Sequence, residues 1–366
     1  MNNDLIYQIA LTKTPNIGDI HAKSLIQQYG DAASVFKAPR KQLEKIEGIG
    51  SVRASAIKKF NDFERCEKEI FFIEKFKITP LFITDSNYPK RLLHCYDSPP
   101  LLYMKGNINL NAEKIISVVG TRNPSDYGKI VCEKLIDDLK DQHALIVSGL
   151  AYGIDTIAHK TAIKNSTPTL AILAHGLDTL YPSQNKSLAK TIAECGGLLT
   201  EFTSGCKPDK QNFPKRNRIT AGICDAVIII ESGEKGGSLI TAELANGYNK
   251  DVFAIPGRTN DIKSEGCNML IKHNKASLIT GAEDLIQMMN WKKINRTEKI
   301  KQRELFSELT TSEKTIINLF KDNKAIGIDE IHLNSGLSSS SIAGALLNLE
   351  IHGIINVLPG KMYALN

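Results

Sequence analysis

The stretch KIISVVGTR, residues 114–122, decides the fold. A β-branched apolar run from Lys114 to Val119 stops at Gly120-Thr121-Arg122, and a helical pattern from Tyr127 to Leu139 follows. The same order recurs. Ala144 to Val147 ends in Ser148-Gly149 and a helix, and Thr169 to Leu173 ends in Ala174-His175-Gly176. Ala226 to Ile230 ends in Glu231-Ser232-Gly233 and, past Gly236-Gly237-Ser238, a helix over Leu239 to Asn246; Asp251 to Ile255 ends in Pro256-Gly257. This repetition predicts an α/β fold with a doubly wound, mainly parallel sheet and helices on both faces.

Ligands of such sheets bind beyond the C-terminal strand ends, where glycine lets a phosphate reach the backbone and the next helix offers free amides. Gly120-Thr121-Arg122, Ser148-Gly149 and Gly236-Gly237-Ser238 therefore form a candidate anion-binding rim, with the Arg122 fork aimed at a phosphate. Any one of these glycines, taken alone, reads better as a tight βα turn. Their convergence with a basic segment, KQNFPKRNR (residues 210–218), favours one anionic ligand. Counted from Lys207, that segment sets Lys207, Lys210, Lys215, Arg216 and Arg218 against Asp209, with Phe213 in the middle and Pro208 and Pro214 as pins. Cations for phosphates and a ring for a base suit a single-stranded nucleic acid. The competing reading is a solvated basic loop with Phe213 tucked into the core.

What the rim lacks narrows the chemistry. No G-x-G-x-x-G follows the first strand and no GxxxxGK[ST] occurs, so neither a dinucleotide nor a P-loop is expected, and no cofactor is assigned. His175 has no Cys or acid partner in sequence, which argues against a metal. Asp155, Asp178, Glu201 and Glu243 lie near strand ends and are candidates for an acid pair, although a helix N-cap explains Asp155 better. No catalytic residue is expected. A net charge of +6 and a pI near 8.8 mildly favour an anionic partner. Seven scattered cysteines without a CxxC pair, and a start, MNNDLIYQIA, without a basic stretch before an apolar run, lead to the expectation of a reduced cytoplasm. No apolar run has the length of a membrane span.

The flanks are organised differently. Residues 1–65 read as short helices, and KIEGIGSVRASAIKKF resembles a helix-hairpin-helix with Arg53, Lys58 and Lys59 as added charge; its glycines serve equally to pack two helices. Residues 66–110 carry short β runs broken by prolines, an edge extension of the sheet. The segment 289–307 is a basic linker. Residues 308–366 form a winged-helix pattern whose presumed recognition helix, SSSSIAGALLNLEIHG, is almost uncharged, which favours protein docking or weak DNA contact.

Five segments carry a resemblance: IISVVGTRNPSDYG, IVSGLAYGIDTIAHKTAI, GGLLTEFTSGCKPDKQNFPKRNRITAG, AVIIIESGEKGGSLITAELANGYNKDVFAIPG and GCNMLIKHNKASLI. In order, and nearly without break from Tyr88 to about Leu285, the chain resembles the DNA-processing protein A (Smf) family. The resemblance implies an extended Rossmann-like domain, residues 66–288, between a SAM-like helical domain and a winged helix. It also implies a non-catalytic protein that binds and protects single-stranded DNA and loads the RecA recombinase during natural transformation. Arg122, Lys210 and Phe213 would contact DNA, and the intact motif from Asn212 to Arg218 extends the contact to Lys215, Arg216 and Arg218. Arg216 and Asn217 read either as contacts or as buttresses. A homodimer is implied through Gly266 to Ile279, where Met269, Leu270 and Ile271 serve either the interface or the core. The rival is enzymatic: GGSLITAE, residues 236–243, is similar to the PGGxGTxxE motif of lysine-decarboxylase-like nucleotide phosphoribohydrolases, with Glu243 on the ribose. Lys235 and Leu239 depart from that motif.

Overall fold

The computed structural model describes residues 4–291, 309–320, 325–352, 354–358 and 362–365. Most of the expected linker at 289–307 lies outside them. The chain divides into two compact units, Met1–Trp291 and Lys292–Asn366.

The first unit opens with helices α1 (Leu5–Lys13), α2 (Asp19–Tyr29), α3 (Ala32–Lys37), α4 (Arg40–Leu43), α5 (Gly50–Lys59) and α6 (Phe63–Lys75). The expected domain boundary at residue 65 falls inside α6. The Gly48-Ile49-Gly50 turn requires its glycines, whose φ angles are 79° and 58°. Two of the cations expected there as surface charge are spent internally. Arg53 donates to the carbonyls of Asn16 and Gly48, and Lys58 to those of Phe36 and Ala38 at the end of α3.

Strands β1 (Thr79–Phe82), β2 (Leu101–Gly106), β3 (Ile115–Gly120), β4 (Leu145–Ser148), β5 (Thr169–Ile172), β6 (Gly197–Thr200), β7 (Ala226–Ile230), β8 (Asp251–Ala254) and β9 (Ser277–Leu278) form one sheet. Their order is β1-β2-β6-β5-β4-β3-β7-β8-β9. From β6 to β9 neighbours are parallel, while β2 pairs antiparallel with both β1 and β6. Pro80 sits in β1, the outer strand, where a missing donor is tolerated. Every residue of β4 and β7 is buried, as a sheet covered on both faces requires. Between the strands run α7 (Lys90–Leu93), α8 (Asp126–Asp138), α9 (Ile154–Lys164), α10 (Lys186–Cys195), α11 (Asn212–Gly222), α12 (Gly237–Gly247) and α13 (Glu265–Lys272), and α14 (Ala282–Met288) follows β9. One hydrophobic core runs without interruption from the N-terminal helices to one sheet face, and a second covers the other face.

Arg218 in α11 is the polar tie between the helices and the sheet. It pairs with Glu201 after β6 and, at 3.0 Å, with Asp19 at the start of α2, and it donates to the carbonyl of Asp97. Burial pushes the Glu201 carboxyl up to about 7 and Asp19 upward as well, with Arg218 opposing both shifts. A mostly buried carboxylate, Glu201, and a part-exposed one, Asp19, share one guanidinium.

The second unit has helices Thr311–Leu319, Ile328–Ser335 and Ser339–Ile351 around a three-stranded sheet of β10 (Ile326–Gly327), β11 (Ile355–Leu358) and β12 (Met362–Leu365), in the order β10-β12-β11. Thr310 and Glu313 form a capping box at the first helix. The Ser339–Ile351 helix buries Ile342, Ala345, Leu346 and Leu349 and leaves serines, Leu347, Asn348, Glu350 and Ile351 outside, with no cation on it.

Two predictions follow from the Arg218 tie. Arg218→Ala strands Glu201 as a buried, unpaired acid, and chemical denaturation should show a loss of about 3–5 kcal/mol. The folded protein also holds the Glu201 proton more tightly than the unfolded chain, whose carboxyl titrates near 4.5. The stabilisation from that proton is complete below about pH 4.5 and disappears as pH rises through about 7. Thermal melts across this window should show the decline, and Glu201→Gln should flatten it.

Candidate nucleic-acid interface

The C-terminal ends of β3, β4 and β7 open onto a cleft of about 640 Å³. It lies at the point where the sheet changes direction, β3 leading to β4 on one side and bordering β7 on the other. Gly120, Thr121, Arg122, Gly149, Gly236, Gly237 and Ser238 line it, and Lys210, Phe213, Arg216 and Asn217 face it from the α11 side.

The β3–α8 turn is held from β7. Ser125 caps α8, its hydroxyl accepting from the Gly128 amide at 3.1 Å. Glu231, just past β7, accepts from the Ser125 amide at 2.7 Å and from its hydroxyl, while the Glu231 carbonyl accepts from the Thr121 amide at 2.8 Å. Arg122 is thereby fixed at the cleft lip. Its guanidinium lies 5.3 Å from the centre of the Phe213 ring, and Phe213 meets Tyr181 edge-on at 5.9 Å. Among the described residues, no carboxylate stands within ion-pair distance of Arg122 or Lys210.

The basic segment is not a loop beyond Gln211. Helix α11 starts at Asn212, and Pro214 falls in its first turn, where no intrahelical partner exists for the missing amide. Helical phase then sorts the cations. Phe213, Arg216, Asn217 and Thr220 face the cleft. Arg218, expected as a phosphate contact, faces the opposite way and is buried against Glu201 and Asp19. Lys215 is exposed on that same side, where its charge acts on Asp19 and Glu201. Asn212 closes the preceding loop, donating to Cys206 Sγ and the Lys207 carbonyl. Ser148 lies inside the sheet and donates to the Val118 carbonyl at 2.7 Å. Arg218, Lys215, Asn212 and Ser148 therefore do not line the cleft.

Arg216 is both buttress and wall. It is 4% exposed, its Nη1 donates to the Ile172 carbonyl at 2.7 Å, and its Nε makes no hydrogen bond within the protein. Burial lowers its pKa and Asp155 opposes the shift; an arginine stays charged under such conditions. Asp155 is not the helix cap, a position Gly153 takes. Its carboxylate accepts from the amides of Gly149 and Ala151 at 3.2 Å each, which holds the β4–α9 loop, and burial raises its pKa against the pull of Arg216.

The candidate acid pair does not form. Asp178 accepts from the Gly205 amide at 3.0 Å, Glu201 belongs to Arg218, and Glu243 is exposed, bound to Lys275 at 2.5 Å and outside the cleft wall. His175 Nε2 accepts from the Tyr181 amide and Nδ1 donates to the Gly176 carbonyl, so its ring shapes the loop that presents Tyr181. Among the described residues no group of His, Cys, Asp and Glu could hold a metal.

Tyr181 and Glu231 are the residues that sequence reasoning missed. A tyrosine before a proline past a strand end, and an acid immediately after a wholly apolar strand, were the available signals.

Residues 79–290 match the family described as DNA recombination-mediator protein A, and residues 307–361 match the DprA winged helix domain. The chain is 31% identical to the protein Smf of Synechocystis over 99% of both chains. It is 40% identical to the DNA processing protein DprA of Streptococcus pneumoniae over 62% of this chain and 84% of the relative. The X-ray structure of that pneumococcal protein superposes with a TM-score of 0.68 at 35% identity, covering 77% of this chain and 97% of the other. A second structure, of DNA processing protein A from Helicobacter pylori, described for its single-stranded DNA binding mode, gives a TM-score of 0.54 at 32% identity over 58% and 96%. The family match covers the whole sheet and its cleft, and the chain belongs to the DNA-processing protein A (DprA/Smf) family.

Proposed function

We propose that this protein binds single-stranded DNA across the cleft, protects it and passes it to a RecA-type recombinase during natural transformation, without chemistry of its own. The observation that carries the reading is the convergence, at one sheet switch point, of the exposed, unpaired Arg122 and Lys210 and the half-open Phe213 ring, with the buried Arg216 guanidinium in the wall beside them. Donors without acceptors in a cleft wall suit phosphate oxygens, and a ring beside them suits a base. The single-stranded DNA named for the Helicobacter relative supports the same ligand. Transfer to RecA and a homodimer through Gly266 to Ile279 rest on the family resemblance. In that segment Leu270 belongs to the core and Leu278 is 45% exposed on the two-residue edge strand β9, a face open to a second copy. The cytoplasm fits this role, and no helix among the described residues is long and apolar enough to cross a membrane.

The hydrolase reading loses its key residue, because Glu243 points to Lys275 rather than into the cleft. Nucleoside monophosphates incubated with the protein should release no free base.

Fluorescence anisotropy with oligo-dT at several salt concentrations tests the main reading. Arg122→Ala and Lys210→Ala should each weaken binding by about 1–2 kcal/mol and flatten the salt dependence. Phe213→Ala should cost about 1–3 kcal/mol with the salt slope kept. Because Arg122 packs on Phe213, the double variant should cost less than the sum. Unchanged affinity in Arg122→Ala and Lys210→Ala would reject the assignment.

The glycines separate structural from ligand roles. A methyl on Gly149 runs into the Arg216 guanidinium, whereas one on Gly237 meets nothing. Gly149→Ala should therefore lower stability by about 1–3 kcal/mol. Gly237→Ala should leave stability equal or higher by up to about 1 kcal/mol, while weakening DNA binding if a phosphate approaches that backbone. Melting curves paired with anisotropy decide this.

A further inference from the structure

Arg122 lines three hollows, of which the cleft is one and a small one shared with Tyr152, Tyr181 and Phe213 is another. The third is a shallow depression of about 670 Å³ that does not include Phe213 and has Arg122, Asn123, Lys129, Tyr152 and Lys263 in its wall. Three cations come from three separate segments: the β3–α8 turn, α8, and the loop before α13. The carboxylates around them are few. Asp126 pairs with Lys129 at 2.9 Å and feels Lys263 from the other side, and Asp261 is turned back onto the Ser264 hydroxyl. Neither acid lies in the depression wall, so the surface keeps a positive surplus. Tyr152 is 37% exposed there, and its hydroxyl is tethered to Gln184, which holds the ring at the edge.

We propose that this depression is a second DNA subsite, in which Lys129 and Lys263 hold the backbone of the strand after it passes over Arg122, and Tyr152 offers a face to a base. The inference rests on the cleft being the primary site and extends its track. Arg122 is the shared divide: a phosphate seated on its guanidinium has the Phe213 side behind it and the lysine pair ahead. Cations spaced along a groove with an interleaved ring are what a strand needs for continued, sequence-tolerant contact.

The test uses the full chain with oligo-dT of two lengths, about 5 and about 18 nucleotides, chosen from the usual span of single-strand sites. The double variant Lys129→Ala/Lys263→Ala should bind the short oligomer as the wild type does. It should bind the long one about 10-fold or more weakly at low salt, with a log–log salt slope shallower by about 1.4, two phosphates at about 0.7 each. Tyr152→Ala should weaken the long oligomer more than the short one and leave the slope unchanged, and Tyr152→Phe, which keeps the ring and loses the Gln184 tether, should bind the long oligomer more tightly than Tyr152→Ala. Light scattering on the variants should give the wild-type mass. Equal loss at both lengths, or none at the long one, overturns the second subsite while the cleft reading stands. A wild type that fails to bind the short oligomer, or an Arg122→Ala variant that binds it normally, overturns the cleft reading and this inference with it.

Discussion

The orientation of α11 is the constraint on which the rest depends. Arg216 and Arg218 stand two residues apart on a helix, so their side chains leave it in nearly opposite directions. One becomes the wall of the cleft and holds the end of β5; the other ties α2 to the end of β6. Rotating the helix by about half a turn would exchange these tasks, moving a paired guanidinium into the cleft and an unpaired one toward Asp19. The helix phase is itself pinned at both arginines by backbone carbonyls, Ile172 for one and Asp97 for the other. The cleft wall and the tie between the helices and the sheet are thus two faces of one packing arrangement, and neither can drift without the other.

The central strands were legible because a parallel sheet covered on both faces leaves little polar alternation: β7 reads as an unbroken apolar run and β3 as one interrupted only by the buried Ser117. Strand β6 was not legible. It is four residues long and begins with Gly197, packed against Ile108, so its glycine pair reads as a turn. The site was legible in residue type and blurred in direction. Arg122, Lys210 and Phe213 could be picked out by charge and ring, and the glycine turns by their place after strands. Two prolines within seven residues made the segment from Pro208 to Pro214 read as a loop, although a proline in the first turn of a helix costs nothing. Once the segment is helical, phase removes Arg218 and Lys215 from the cleft. No local pattern announces this, because the acids that claim Arg218 sit on α2 and beyond β6.

The helical N-terminal part gains a role that its own sequence does not suggest. Lys13 donates to the Thr203 hydroxyl at 2.8 Å, and the Glu69 carboxylate accepts from the amide and hydroxyl of Ser204. From the sheet side, Asp178 takes the Gly205 amide. Three consecutive residues at the root of the segment that carries Lys207 and Lys210 are therefore clamped from both sides. Arg53 and Lys58, whose charge on a hairpin motif suggested nucleic-acid contact, are consumed in holding the helices to one another. These helices shape the cleft by fixing the approach to α11. Exposed lysines alone would give the electrostatic part of binding almost anywhere on a basic surface. A defined track needs the cations to be stationary relative to the ring, and here that stationarity comes from a neighbouring helical layer rather than from the segment itself.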